Sequence, residues 1–157
     1  MALKSTFKQA DIRKMLDASA RQVRTGILHS LNKLGEESVK IARDNANRND
    51  ATGRLANSIG YLIVADGQVI AQEFNRSLKS PTNTTSPTEQ NATDTDNDAE
   101  AGEQFARTLA AKYPKGYALI VVSGSAYAVQ AESMSEDILT SAEMYVGGEL
   151  SDLLSEL

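Results

Sequence analysis

The chain has 157 residues with no Cys, no Trp and a single His, and its 16 Lys/Arg against 21 Asp/Glu leave a net charge of −5. That length suits one domain with a core of its own. The missing Cys excludes disulfides, thiolate metal sites and Cys nucleophiles, and the lone His29 excludes a multi-His metal centre.

Residues 1–74 carry 11 Lys/Arg and 8 Asp/Glu, residues 75–104 carry 2 and 6, and residues 105–157 carry 3 and 7. Such polarity suits pairing with copies of the chain or with a neighbouring charged ring, and equally an ordinary solvated surface. Met1–Thr6 has no apolar leader, and no run reaches the ~18 apolar residues of a membrane span, so synthesis in the cytosol is expected.

In chain order, the spacing of Ile12, Met15, Leu16, Val23, Ile27, Leu31 and Leu34 predicts one long amphipathic helix over 11–46, capped by Asp11. Gly26 and Gly35 mark a bend or the close approach of another backbone. The run Asn45–Asp50 predicts a loop. Thr52 is expected to cap a short turn through Ile59. Tyr61–Val64 and Gln68–Ala71 flank Asp66-Gly67, the signature of a hairpin. From Asn75 to about Asp98 the composition turns polar and predicts a flexible excursion. Asp98 then caps a helix over 99–113, with Phe105, Leu109 and alanines as its apolar face and Pro114 as its stop. Residues 116–123 predict a buried strand, and 126–132 fit either a strand or a helical turn. Ser135 or Asp137 opens a last helix, which Gly147-Gly148 interrupts.

Few residues carry chemistry. Asp94, Asp96 and Asp98 alternate like the start of a calcium loop, but Ala99 stands at its turn position and Phe105 at its bidentate position. Asn83-Thr84-Thr85 and Asn91-Ala92-Thr93 match a glycosylation pattern that reads here as polar loop. His29 has no carboxylate at helical spacing, and Ser123-Gly124-Ser125 is not a nucleophile elbow. The expectation is no enzyme, no cofactor and no metal. Arg13, Lys14, Arg21 and Arg24 put positive charge on the front of the long helix. With Asp94, Asp96 and Asp98 they form the candidate interface residues.

Three segments in order resemble a known family. Thr52-Gly53-Arg54-Leu55-Ala56-Asn57-Ser58-Ile59 resembles the Thr-Gly-Arg-Leu-x-x-Ser-Ile segment of the tail-completion, or head–tail joining, neck proteins of long-tailed bacteriophages. Tyr127-Ala128 followed by Glu132 resembles that family's Tyr-Ala-x-x-Val-Glu, with Ala131 in place of Val. Asp137–Glu143 then opens a C-terminal helix, as in the family. The usual Phe-Gly-Thr is replaced by Ser133-Met134-Ser135, and residues 75–115 look like an insertion. Read physically, Thr52 caps the turn, Gly53 permits a tight exit, Leu55 and Ile59 staple it to the core, and Arg54 and Ser58 face outward.

The expected fold is α+β: a long N-terminal helix packed on a small antiparallel β-sheet with strands near 60–65, 68–74 and 116–123. A C-terminal helix closes the other side or edge, and the single domain carries a long polar insertion. The resemblance implies a structural virion protein, made in the host cytoplasm, that forms a sixfold or twelvefold ring around the DNA exit channel. Its partners would be portal or adaptor and tail-tube or terminator proteins, and DNA would pass without sequence recognition. A portal adaptor or tail terminator ring is the near alternative. A non-virion binding module, a chaperone or regulator using the long helix, is the distant one.

Overall fold

The computed structural model describes residues 8–49, 53–74, 90–125, 128, 133 and 137–155, with backbone alone described at 49, 90–97, 154 and 155. Helix α1 (Gln9–Asn49) leads to a short α2 (Arg54–Ser58), strands β1 (Ile59–Ala65) and β2 (Gln68–Phe74), α3 (Gln90–Ala110), β3 (Tyr117–Ser123) and α4 (Ile138–Ser155). The fold is α+β, with the three strands where the sequence puts them.

The sheet order is β2-β1-β3, with both pairings antiparallel. The β1–β2 hairpin turns on Asp66 (φ 52°) and Gly67 (φ 78°), the two positive φ values of a type I′ turn. Asp66 also ties the turn to the start of β3: its N–H donates to the Gly116 carbonyl (2.8 Å) and its Oδ1 accepts from the Gly116 N–H (3.1 Å). A register shift falls between Ile63 and Val64 in the pairing with β2, whereas β3 pairs in unbroken register from Ile59↔Ser123 to Ala65↔Tyr117.

Every residue of β1 is buried, because helices cover both faces of the central strand. On one face, Tyr61 and Ile63 pack with Leu31, Val39, Ala42 and Ala46 of α1 and with Ile138 and Ala142 of α4. On the other, Leu62, Val64, Ile120 and Val122 pack against Ala106 and Ala110 of α3. Of the two places expected for the C-terminal helix, the edge holds and the other side does not: α4 joins α1 on one face beside the edge strand β3, and the second face is closed by α3. Part of the supposed insertion is therefore structural.

The structure differs from the local expectations in four places. The Asn45–Asn49 run is helical, not a loop: Ala46 is fully buried, and Asn45 Nδ2 donates to the Asp137 carbonyl at 3.4 Å. Helix α1 starts at Gln9, so Asp11 lies inside the first turn and favours it by charge instead of capping it. Helix α3 begins at Gln90, so Asp98 is mid-helix and not its cap, and the helix ends at Ala110. Its buried face is Ala99, Ala106 and Ala110, while Phe105 is 54% exposed. Helix α4 runs through Gly147-Gly148 without interruption. Ser80–Pro87 lies outside the described residues.

Gly35 makes room for a ring and not for a backbone: a Cβ there would lie 2.6 Å from the Tyr61 side chain. The Tyr61 hydroxyl donates to Asn32 Oδ1 at 3.0 Å. Nothing approaches Gly26 within 4 Å.

Candidate assembly surface

Two sets of candidate residues separate cleanly, one into a structural junction and one onto an open surface. The octet 52–59 builds the junction between α1 and the sheet. Thr52 lies outside the described residues, and the cap position belongs to Gly53, whose φ of 70° is left-handed and which makes no side-chain cap bond. Leu55 and Ile59 are 1% and 0% exposed, so the staple is as expected. Arg54 is exposed and reaches Asp98 of α3 at 3.1 Å. Ser58 does not face outward: it is fully buried. Its Oγ donates to the Leu55 carbonyl at 2.7 Å and shares a 2.7 Å bond with Ser123 Oγ. A hydroxyl in a dry site is tolerated because it is bonded twice.

The same junction brings two backbones together in a way no motif announced. The Gly124 N–H donates to the Ser58 carbonyl at 3.1 Å. A Cβ on Gly124 would fall 1.8 Å from the Asp98 carbonyl oxygen and 2.4 Å from the Gly102 nitrogen. Helix α3 thus crosses the end of β3 at a glycine–glycine contact. Beside it, Arg43 Nη2 donates to the Ile59 carbonyl at 2.8 Å and Nη1 lies 3.7 Å from Glu73 Oε1. Burial pulls the Arg43 pKa below its ordinary value, with Glu73 opposing the shift. Asp98 is thereby engaged by Arg54 of its own chain instead of standing free for a neighbour. Asp94 and Asp96 lie on the helical backbone of α3, with side chains outside the description.

The open surface is the front of α1. Every residue from Lys8 to Gly26 is exposed. Ile12 is 46% exposed, Met15 72%, Leu16 64% and Val23 49%. Arg13 and Lys14 are exposed on the same stretch. Arg21 folds back to the Asp17 carbonyl (3.1 Å), and Arg24 lies 3.7 Å from Asp66 at the hairpin tip. With a rise of about 1.5 Å per residue, the stripe from Ile12 to Val23 extends roughly 16 Å along the helix, each of its large apolar side chains at least 46% exposed.

A second feature, a groove among the described residues, lies between β3 and α4. Leu119, Val121, Leu139, Ala142, Glu143 and Val146 line a groove of about 340 Å³. Strand β3 is an edge of the sheet. Helix α4 is locked to α1 by the Tyr145 hydroxyl, which donates to Glu37 Oε2. That bond is the chief reason the Tyr145 pKa is pushed up to about 12.

No family model, no curated protein and no solved structure matches the chain. Ala128 is half-buried against the core, whereas Tyr127 and Glu132 lie outside the described residues, as does all of 126–132 except Ala128. His29 is exposed on α1. Among the described residues, no group of three or more His, Cys, Asp or Glu could hold a metal ion, and no helix is long and apolar enough to cross a membrane. The Ser58–Ser123 pair, the Gly102–Gly124 crossing and the Glu37–Tyr145 tie were not singled out in the sequence. Each joins residues more than twenty positions apart, and none has a local pattern.

Proposed function

We propose that this chain is a structural subunit of a homo-oligomeric ring, of the kind that joins head to tail in the neck of a long-tailed phage. The observation that carries the reading is the front of α1, where Ile12, Met15, Leu16 and Val23 stand 46–72% exposed along one helix. A helical segment of this length is marginal without tertiary support, and a contiguous apolar stripe marks a surface meant to be covered. The neck setting comes from the resemblance of residues 52–59, 127–132 and 137–143, and the junction built by the octet is a positioning device, as a ring subunit requires. Acidic surface facing a channel would let DNA slide by repelling its phosphates.

The test is electron microscopy of the purified protein and of virions, with identification of what co-purifies. Rings, and portal or tail proteins as companions, support the reading. A strict monomer that is absent from particles contradicts it. The binding-module alternative draws on the same exposed helix, and it would be favoured by a soluble host protein as the companion.

A further inference from the structure

We infer that the front of α1 in one copy seats in the β3–α4 groove of the next copy, an inference that rests on the ring reading and names its interface. The two surfaces are complementary in three respects. The stripe of Ile12, Met15, Leu16 and Val23 is apolar and exposed, and the groove is walled by Leu119, Val121, Leu139, Ala142 and Val146. Residues 8–26 carry Lys8, Arg13, Lys14, Arg21 and Arg24 against Asp11 and Asp17, net +3. Helix α4 carries Glu143, Glu149 and Asp152 with no Lys or Arg, net −3. Finally, stripe and groove are different patches on one chain. Their contact is therefore heterologous, the head-to-tail type that closes into a ring when its rotation permits. The chain's own residues 129–136 are the rival occupant. They carry Glu132 and Glu136 and no basic residue, so charge disfavours them beside α4.

The absence of native Cys makes crosslinking decisive. The full chain carrying Met15→Cys with Val146→Cys, oxidised mildly, is expected to give a ladder in multiples of the chain mass on a non-reducing gel. Neither single variant should do so. Covalent dimers from Met15→Cys alone, or a bridge within one chain from Met134→Cys with Val146→Cys in the assembled protein, would overturn the interface. So would a stable oligomer by light scattering with no ladder, and that result leaves the ring reading standing. A monomer at every concentration ends both. Charge exchange provides a second readout that needs no new thiol. Lys14→Glu should weaken association about tenfold or more, and adding Glu143→Lys should restore it. Failure of the double variant to recover would overturn the assignment.

Discussion

The α3–β3 crossing makes Gly124→Ala the sharpest test of the fold. The added Cβ would sit 1.8 Å from the Asp98 carbonyl oxygen and 2.8 Å from the Gly102 Cα, all of it backbone. A carbon–oxygen contact settles at about 3.4 Å, so the two chains must separate by roughly 1.5 Å. No side-chain rotation can relieve this. Helix α3 would have to lift Ala106 and Ala110 from Leu62, Val64, Ile120 and Val122. A gap of about 0.5–1 Å already forfeits a quarter to a half of each dispersion contact. The Gly124–Ser58 and Ser58–Ser123 bonds would be stretched as well. We expect a loss of about 3 kcal/mol or more, at or above the upper end for overpacked sites. Against a total of roughly 5–15 kcal/mol, that is a large fraction. Gly26→Ala is the paired control. Nothing lies within 4 Å of Gly26, which is exposed in mid-helix, so the change should stabilise by roughly 0.5–1 kcal/mol. Urea unfolding followed by circular dichroism reads both. Were Gly124→Ala to unfold within about 0.5 kcal/mol of the parent, the backbone crossing described here would be wrong.

Five further outcomes follow from the fold and its contacts. Leu62→Ala, at a fully buried site under α3, should cost about 3–4 kcal/mol in the same unfolding assay, through lost transfer energy and the cavity left behind. Ser58→Ala should cost about 1–2 kcal/mol, because Ser123 Oγ and the Leu55 carbonyl lose the bond to the Ser58 hydroxyl, whereas Arg54→Ala at the exposed pair with Asp98 should cost under about 1 kcal/mol. Absorbance titration of the five tyrosines should show Tyr145 ionising near pH 12. The folded pKa lies above the ordinary value of about 10, so the Glu37 bond's contribution is complete below that value and is lost as pH rises toward 12. Glu37→Ala should bring the late step down toward the ordinary range, and an unchanged titration would mean that the bond to Glu37 is not what holds Tyr145. Deleting residues 80–97 should preserve cooperative unfolding, since Ala99, Ala106 and Ala110 all remain.

The sheet and the long helix were readable because their signals are local: branched runs around Asp-Gly, and apolar steps of three and four. What the sequence hid was hidden for identifiable reasons. The buried face of α3 is made of alanines and Gly102, which give almost no amphipathic contrast, whereas Phe105, the largest apolar side chain of the segment, is half exposed. The Asn-rich end of α1 reads as loop on propensity, and the burial of Ala46 against the core and the bond from Asn45 to Asp137 favour the helix there. Ser58 reads as a surface polar residue because the Ser123 hydroxyl that shares its bond comes from a distant strand that no spacing rule reveals. The candidate assembly surface was legible in half. The basic residues of α1 and its apolar stripe are visible in sequence, but whether that stripe was covered by the sheet depended on how far the body of the domain extends along the helix. The β3–α4 groove depended wholly on the strand order, which places β3 at an edge.

Native mass spectrometry of the purified full chain, alongside a Met15→Glu, Leu16→Glu variant, reads directly whether the front of α1 holds copies of the chain together. A ring subunit gives a defined multiple of the 16.9 kDa chain, six or twelve for a neck ring, and the variant a folded monomer. A parent that remains monomeric at high concentration, or a variant that assembles as the parent does, would contradict that role for α1.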